Sequence, residues 1–419
     1  MRWAYCLSVY VCLCSCAGSG LRARVSSDIA RGDFRSAYSR YEQDRSPAVL
    51  RTLSESVLLQ AVRSKDPAER RSAFIELSML GTRATDLLDE LSQSGESAPV
   101  RAEALRLRTQ LGDEAARREL RGLVDHPDPE VADSAVQALA PERDAQLLAA
   151  ALRSPRPERR STALALLGRA APEHRAVLIE ASRFDPTPQL RVLALHALER
   201  YGGSVADAVE AATHDPDEHV RAAALSTLAR VAPERAEPVL DRQLGAAVSE
   251  QSISAAITLL NMKPPRQAAR ARAAITAALG SPDVTLRARA ATVLQRLPAS
   301  ERDLAGVRAR LRVEKADTVR LALALLLGPD DSAARSTLTE LSAMFTLPGA
   351  EAAAELAAHS GSARARLCAF SGHDSALVRI TAARLIANTL RDPEPIAKLL
   401  ADPNWQVRGA AAGAVLNIL

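Results

Sequence analysis

The chain has 419 residues, of which 47% are hydrophobic, 25% charged and only 3% aromatic. That is too long for one compact core of ordinary size, so several domains or one elongated array are expected. Basic and acidic residues number 54 and 50, leaving a net charge of +4, which excludes a disordered polyelectrolyte and gives no footing for nucleic-acid binding. Cys6, Cys12, Cys14 and Cys16 crowd the beginning and Cys368 stands alone, a placement that excludes a disulfide scaffold.

Met1 and Arg2 make a short positive start, followed by the apolar run Trp3 to Leu13. As a helix this run is about 16 Å long, half the hydrocarbon core, and too short to span a membrane. It reads as the apolar stretch of a secretory signal. Leu13-Cys14-Ser15-Cys16 resembles the bacterial lipobox. The resemblance implies a signal peptide over 1–15 and lipidation at Cys16, with Cys14 departing from the usual residue. Ala17-Gly18-Ser19-Gly20 extends this as a flexible tether over 16–25. Ala17 is not the Asp of inner-membrane retention, so the implied address is the outer membrane, facing the periplasm.

Residues 26–64 are expected to form a helical cap. Gly32-Asp33-Phe34, Ala37 and Tyr41 resemble the second half of a tetratricopeptide repeat, whose first helix would fall on the tether.

From 65 to 419 one phrase recurs: Asp-Pro, then Val-Arg, then Ala and Leu. Its cleanest copy is Asp215-Pro216, Val220-Arg221, Ala224, Leu228. The arginine slot returns about every 30 residues, a solenoid period. Arg71, Arg101, Arg160, Arg191, Arg221, Arg287, Arg320, Arg379 and Arg408 fill it; Ala132, Ser254 and a residue near 350 stand where the register demands one. Apolar residues one before, three after and seven after the slot lie on one helical stripe. The middle column is alanine, which lets helices approach closely. Asp185, Asp215, Asp402, Ser154 and Ser281 stand six before the slot, each followed by proline, and are expected to cap these helices. Second apolar segments such as Arg143 to Leu152 and Ala236 to Leu244 complete two-helix repeats.

These residues resemble the HEAT family, in particular the short HEAT-like repeats of phycobilisome lyases. The expected fold is all-α, an α-solenoid of about twelve two-helix repeats. The resemblance implies that the motif's Asp and Arg form a ladder between neighbouring repeats, a role that falls on Asp185, Arg191, Asp215, Arg221, Asp402 and Arg408. It also implies that the motif helix lines a concave surface. Residues 329–371 are the least regular and are expected to form an inserted loop or a mis-registered pair.

The seven histidines are scattered, and no metal-ligand or nucleophile motif is present. His214 and His219 are close, but the Asp-Pro turn between them argues against a shared metal. Cys368 sits in an apolar stretch and reads as a buried small hydrophobe. No metal and no cofactor are expected. Five residues after the slot the row reads His196, Ser226, Leu259, Thr292 and Leu325. It lacks a charge stripe, and His196, Ser226, Thr292 and Leu325 become candidate concave contacts for a protein. The expected function is a non-enzymatic, membrane-tethered scaffold that binds envelope proteins. A HEAT-like chromophore or cofactor lyase and a purely structural periplasmic spacer are the alternatives.

Overall fold

The computed structural model describes residues 20–169, 174–245, 247–262 and 265–419. Cys16 and the expected signal segment 1–15 lie outside them. The described residues contain helices and turns and no strand. Helix pairs follow one another as an α-solenoid of HEAT-like repeats. None of these helices is long and apolar enough to cross a membrane. The described residues divide into two compact units, one made of 20–111 and 329–419, the other falling within 112–328.

The repeat register follows from how each motif helix starts. Among the described residues, twelve such helices begin at an N-cap, from Asp66 in the first copy to Asn404 in the last. The slot stands four residues after each cap. This corrects two positions. The first slot is Arg70 and not Arg71: Nη1 of Arg70 donates to the carbonyls of Ser64 and Lys65 at 3.0 and 3.2 Å, as Arg160 does to Ser154 and Pro155. Arg71 reaches only the carbonyl of its own Pro67. In the seventh copy Ser249 caps the helix, so the slot is Ile253 rather than Ser254.

The expected caps are corrected as well. Asp185, Asp215 and Asp402 stand two residues before the N-caps Thr187, Asp217 and Asn404. Each accepts, at 2.9 Å, the backbone N–H of that residue. They shape the turn and leave the rest of the carboxylate for another partner. Ser154 and Ser281 do the same through their hydroxyls. A proline at the start of the helix, where its missing N–H costs nothing, comes later, as in Pro188 and Pro157.

In the unit 112–328, the helices Pro157–Leu167, Pro188–Leu198, Glu218–Val231 and Val284–Arg296 carry the apolar stripe. Ala163, Ala194, Ala224 and Ala290 are each 0% exposed. The leucine column, Leu167, Leu198, Leu228 and Leu294, is buried beside them. Alanine contributes little area, and each buried leucine stabilises by about 1.5–3 kcal/mol. The core therefore rests on leucines that alanines allow to pack closely. The partner helices Ala145–Ala151 and Pro233–Leu244 match the expected second segments.

In the other unit, residues 20–30 are helical, with Val25 and Ile29 buried. The tether expected through residue 25 thus gives way to a helix at residue 20. Tied to Phe34–Asp44 through Asp28, it supplies a first helix where only the second was expected. Buried Asp28 holds it, accepting from Arg31 and Arg40. The next helix, Pro47–Val62, packs on Pro67–Leu80 and also on Trp405–Ile418, the last helix of the chain. The segment expected to cap the first repeat therefore also covers the last. Val49, Leu53, Leu77, Val407 and Val415 belong to one core.

Residues 329–371 are a correction. They form the regular helices Ser332–Ala343, Leu347–Ala357 and Gly361–Ala369. The sequence places the slot of this repeat only near residue 350, because Thr346 supplies the cap and Ala350, fully buried, occupies the slot. Gly349 explains the local sequence. A Cβ there would stand 2.8 Å from the Leu341 carbonyl oxygen and closer still to that of Met344. Helix propensity alone favours Gly→Ala by about 1 kcal/mol. We expect Gly349→Ala instead to destabilise by about 1–3 kcal/mol, read from urea denaturation. A gain in stability would show that the close approach is absent.

Candidate functional site: a break in the arginine ladder

In four copies the arginine in the slot does two things. Its Nη1 satisfies carbonyls in the turn before its own helix. Its Nε and Nη2 then face the next repeat as a fork. Arg160 grips Asp185 at 2.9 and 3.1 Å. Arg191 grips Asp215 at 2.9 and 2.8 Å, Arg287 grips Glu314 at 2.8 and 3.0 Å, and Arg379 grips Asp402 at 2.7 and 2.9 Å. In all four rungs the carboxylate stands six residues before the next slot. Paired forks of this kind are shorter and stronger than neutral hydrogen bonds.

Burial decides what these rungs are worth. The side chains of Arg287 and Glu314 are 9% and 1% exposed, so each depends on the other. Burial pushes the Glu314 carboxyl up, but hydrogen bonds from Arg287, the backbone N–H groups of Ala316 and Lys315, and Arg310 together bring it down to about 2. Asp215 is also lowered, chiefly by the Arg191 fork, against the opposing effect of burial.

The ladder residues read from the sequence divide accordingly. Asp185, Arg191, Asp215 and Asp402 are in rungs. Arg221 and Arg408 are not. Arg408 donates to its own turn, at the carbonyls of Asp402 and Pro403. It lies 4.0 Å from the Phe34 ring centroid and 3.8 Å from Glu69. Sequence reasoning missed the contribution of Glu314 because Lys315 follows it where the motif has proline. The signal was present in its spacing, six before Arg320.

Arg221 repeats the first half of the pattern, its Nη1 donating to Asp215 and Pro216 at 2.8 Å each. The second half is missing. Six residues before the next slot stands Ala247, which has no carboxylate. The same copy has Ile253, 1% exposed, in place of the arginine. Among the described residues, Nε and Nη2 of Arg221 meet no acceptor, and the residue is exposed. The rung is broken on both sides of one copy.

A groove of about 690 Å³ lies at this break. Leu225, Leu228, Leu240 and Ala255 give it a buried apolar side. Arg221, Arg242, His214 and His219, all exposed, give it a polar one. Two of its arginines are committed. Arg235 pairs with Asp207 at 2.9 Å and with Glu210. Arg289 pairs with Glu250 and donates to Ser254 at 3.0 Å, and burial lowers its pKa. Arg242 reaches only the Pro238 carbonyl of its own helix.

The structure therefore brings His214 and His219 to one groove, across the turn that was expected to separate them. No group of three or more metal-ligating side chains gathers among the described residues. His196, Ser226, Thr292 and Leu325 do not line the groove. They occupy equivalent positions on four motif helices, His196 and Thr292 exposed, Ser226 and Leu325 half-buried. Leu259, fully buried, drops out of that row. With the slot at Ile253 its place belongs to Thr258. Cys368 is half-buried, and burial raises its thiol above the ordinary value, which disfavours a reactive thiolate.

All of the groove's lining but Arg289 falls inside the stretch that a family model matches. HEAT repeats match there. The family model described as HEAT repeats covers residues 145–229 and 175–261. No curated protein matches the chain. Among solved structures, the chain is similar to one in the complex of CpcE and CpcF of phycocyanin lyase from Nostoc sp. PCC7120. The identity is 17% over 68% of this chain and 92% of that chain, with a TM-score of 0.25. So low a score carries no argument about activity.

Proposed function

We propose that the chain is a non-enzymatic scaffold of the bacterial cell envelope that binds a protein through the groove at the ladder break. In this reading it is tethered by lipid at Cys16 to the outer membrane, facing the periplasm. The observation that carries the binding reading is the open Arg221 fork beside buried leucines. Repeats whose rungs are closed offer no such combination. The tether rests on Leu13, Ser15 and Cys16. One acyl chain anchors only marginally, each buried CH₂ being worth about 0.8 kcal/mol, so two or three are required.

The two halves are tested separately. A photo-crosslinking residue at Ala222, which lines the groove, is compared in intact cells with one at exposed Ala150. A discrete protein adduct from position 222 alone supports the scaffold. The same pattern from both positions, or none from either, sinks it. Cys16→Ser is expected to move the protein from the membrane to the soluble fraction. Unchanged membrane retention would refute the tether.

A further inference from the structure

We propose that the groove receives an acidic peptide segment of the partner, one carboxylate of which takes the place of the missing rung at Arg221. This inference rests on the scaffold reading and names the chemistry of its partner. In Arg160, Arg287 and Arg379, as in Arg221, Nη1 donates to two carbonyls, six and five residues back. That contact fixes the plane of the guanidinium. In those three copies the Nε–Nη2 edge then holds a carboxylate in a bidentate pair. At Arg221 the plane is fixed in the same way, and Ala247 leaves the edge open. An arginine held in position loses little freedom when it binds, and a planar fork selects carboxylate.

Most charges of the groove are already paired. Arg235 and Arg289 are neutralised by Asp207, Glu210 and Glu250. Without an ion-pair partner among the described residues are the guanidinium groups of Arg221 and Arg242 and the carboxylate of Glu218, with His214 and His219 beside them. Arg235 faces two carboxylates, so over these eight groups the charges cancel, and the positive feature is local, at the open edge of Arg221. Leu225, Leu228 and Leu240 call for apolar neighbours next to the acidic residue. A free anion would satisfy the arginine and ignore this wall, which is why a peptide is preferred.

The probe is a fluorescent peptide with the sequence of residues 211–220, AATHDPDEHV. In the protein its first aspartate, Asp215, fills the Arg191 fork. Binding to the full chain is followed by anisotropy at low salt. The version with that aspartate replaced by asparagine should bind about tenfold or more weakly, as expected for loss of a charge-assisted pair. Arg221→Gln should weaken the acidic peptide by a similar factor. Ala247→Asp should restore the rung from within, raise the melting temperature and abolish peptide binding. Equal binding of both peptides, no binding of either, or full binding to Ala247→Asp with its raised melting temperature would each overturn the proposal. Displacement of the peptide by millimolar phosphate as readily as by excess unlabelled peptide would also overturn it, marking a simple anion site. Failure here stays distinguishable from failure of the scaffold reading. If the adduct from position 222 persists unchanged in Arg221→Gln and Ala247→Asp, the partner binds by other contacts and only the acidic segment is lost.

Discussion

Removal of residues 405–419 is expected to unfold the unit formed by 20–111 and 329–419. Val407 and Val415 are fully buried and Leu416 nearly so. At about 1.5–3 kcal/mol each, these three side chains alone account for about 5–9 kcal/mol. A whole domain is stable by only about 5–15 kcal/mol. The loss is not confined to the deleted helix, because Pro47–Val62 and Pro67–Leu80 pack on it. Polar ties go as well: Arg51 donates to the Leu419 carbonyl at 3.0 Å, and Arg83 to Asn417. Amide hydrogen exchange within 47–62 is the measurement. Exchange at unfolded-chain rates after the deletion is the expected result. Protection kept at the full-length level would show that the beginning of the chain folds without the end.

The second large effect concerns the most buried rung. Arg287→Ala leaves Glu314 buried, with Arg310 and two backbone N–H groups as its remaining partners. Breaking a buried pair from one side costs about 3–5 kcal/mol, and Arg310 places this case near the lower end. The double variant Arg287→Met with Glu314→Gln should cost less than the sum of the single changes. pH adds an independent reading. Glu314 has a folded-state pKa of about 2 against an ordinary value of 4.5. A depressed carboxylate contributes stability that is fully present above its unfolded value and is lost as pH falls through the folded value. The Glu314 contribution to acid sensitivity should therefore lie between about pH 4.5 and 2, and Arg287→Ala should narrow it. Urea denaturation across that range reads both effects. An unchanged pH profile in Arg287→Ala would mean that the fork does not set the carboxylate.

Much of the fold was legible because the repeat repeats its chemistry. Ala163, Ala194, Ala224 and Ala290 sit in one column of the sequence and in one buried stripe of the structure. The register slipped by one where no arginine marks the slot, at Ile253, and where two arginines adjoin, at Arg70 and Arg71. Ile253 and Ala350 carry no arginine, so nothing in the slot marks the first turn of their helices. Contact between the two ends of the chain could not be read from period or spacing. Tyr41 donates to Glu394 at 2.5 Å across 353 positions. One sign of it was present. The last helix, WQVRGAAAGAVLNI, has Gly409 through Leu416 all buried, whereas an uncovered terminal repeat needs a polar outer face. The groove was illegible for a different reason. It arises from a missing carboxylate, and Ala247 attracts no notice until the four intact rungs show what belongs there.

The Nε–H signals of the slot arginines, observed by NMR, test the ladder and its break together. In the free protein Arg191 and Arg287 should show slowly exchanging Nε–H groups, and Arg221 a rapidly exchanging one. Addition of the acidic peptide should slow the exchange at Arg221 and leave the other two unchanged. An Arg221 signal as protected as that of Arg191 before any peptide is added would contradict the account.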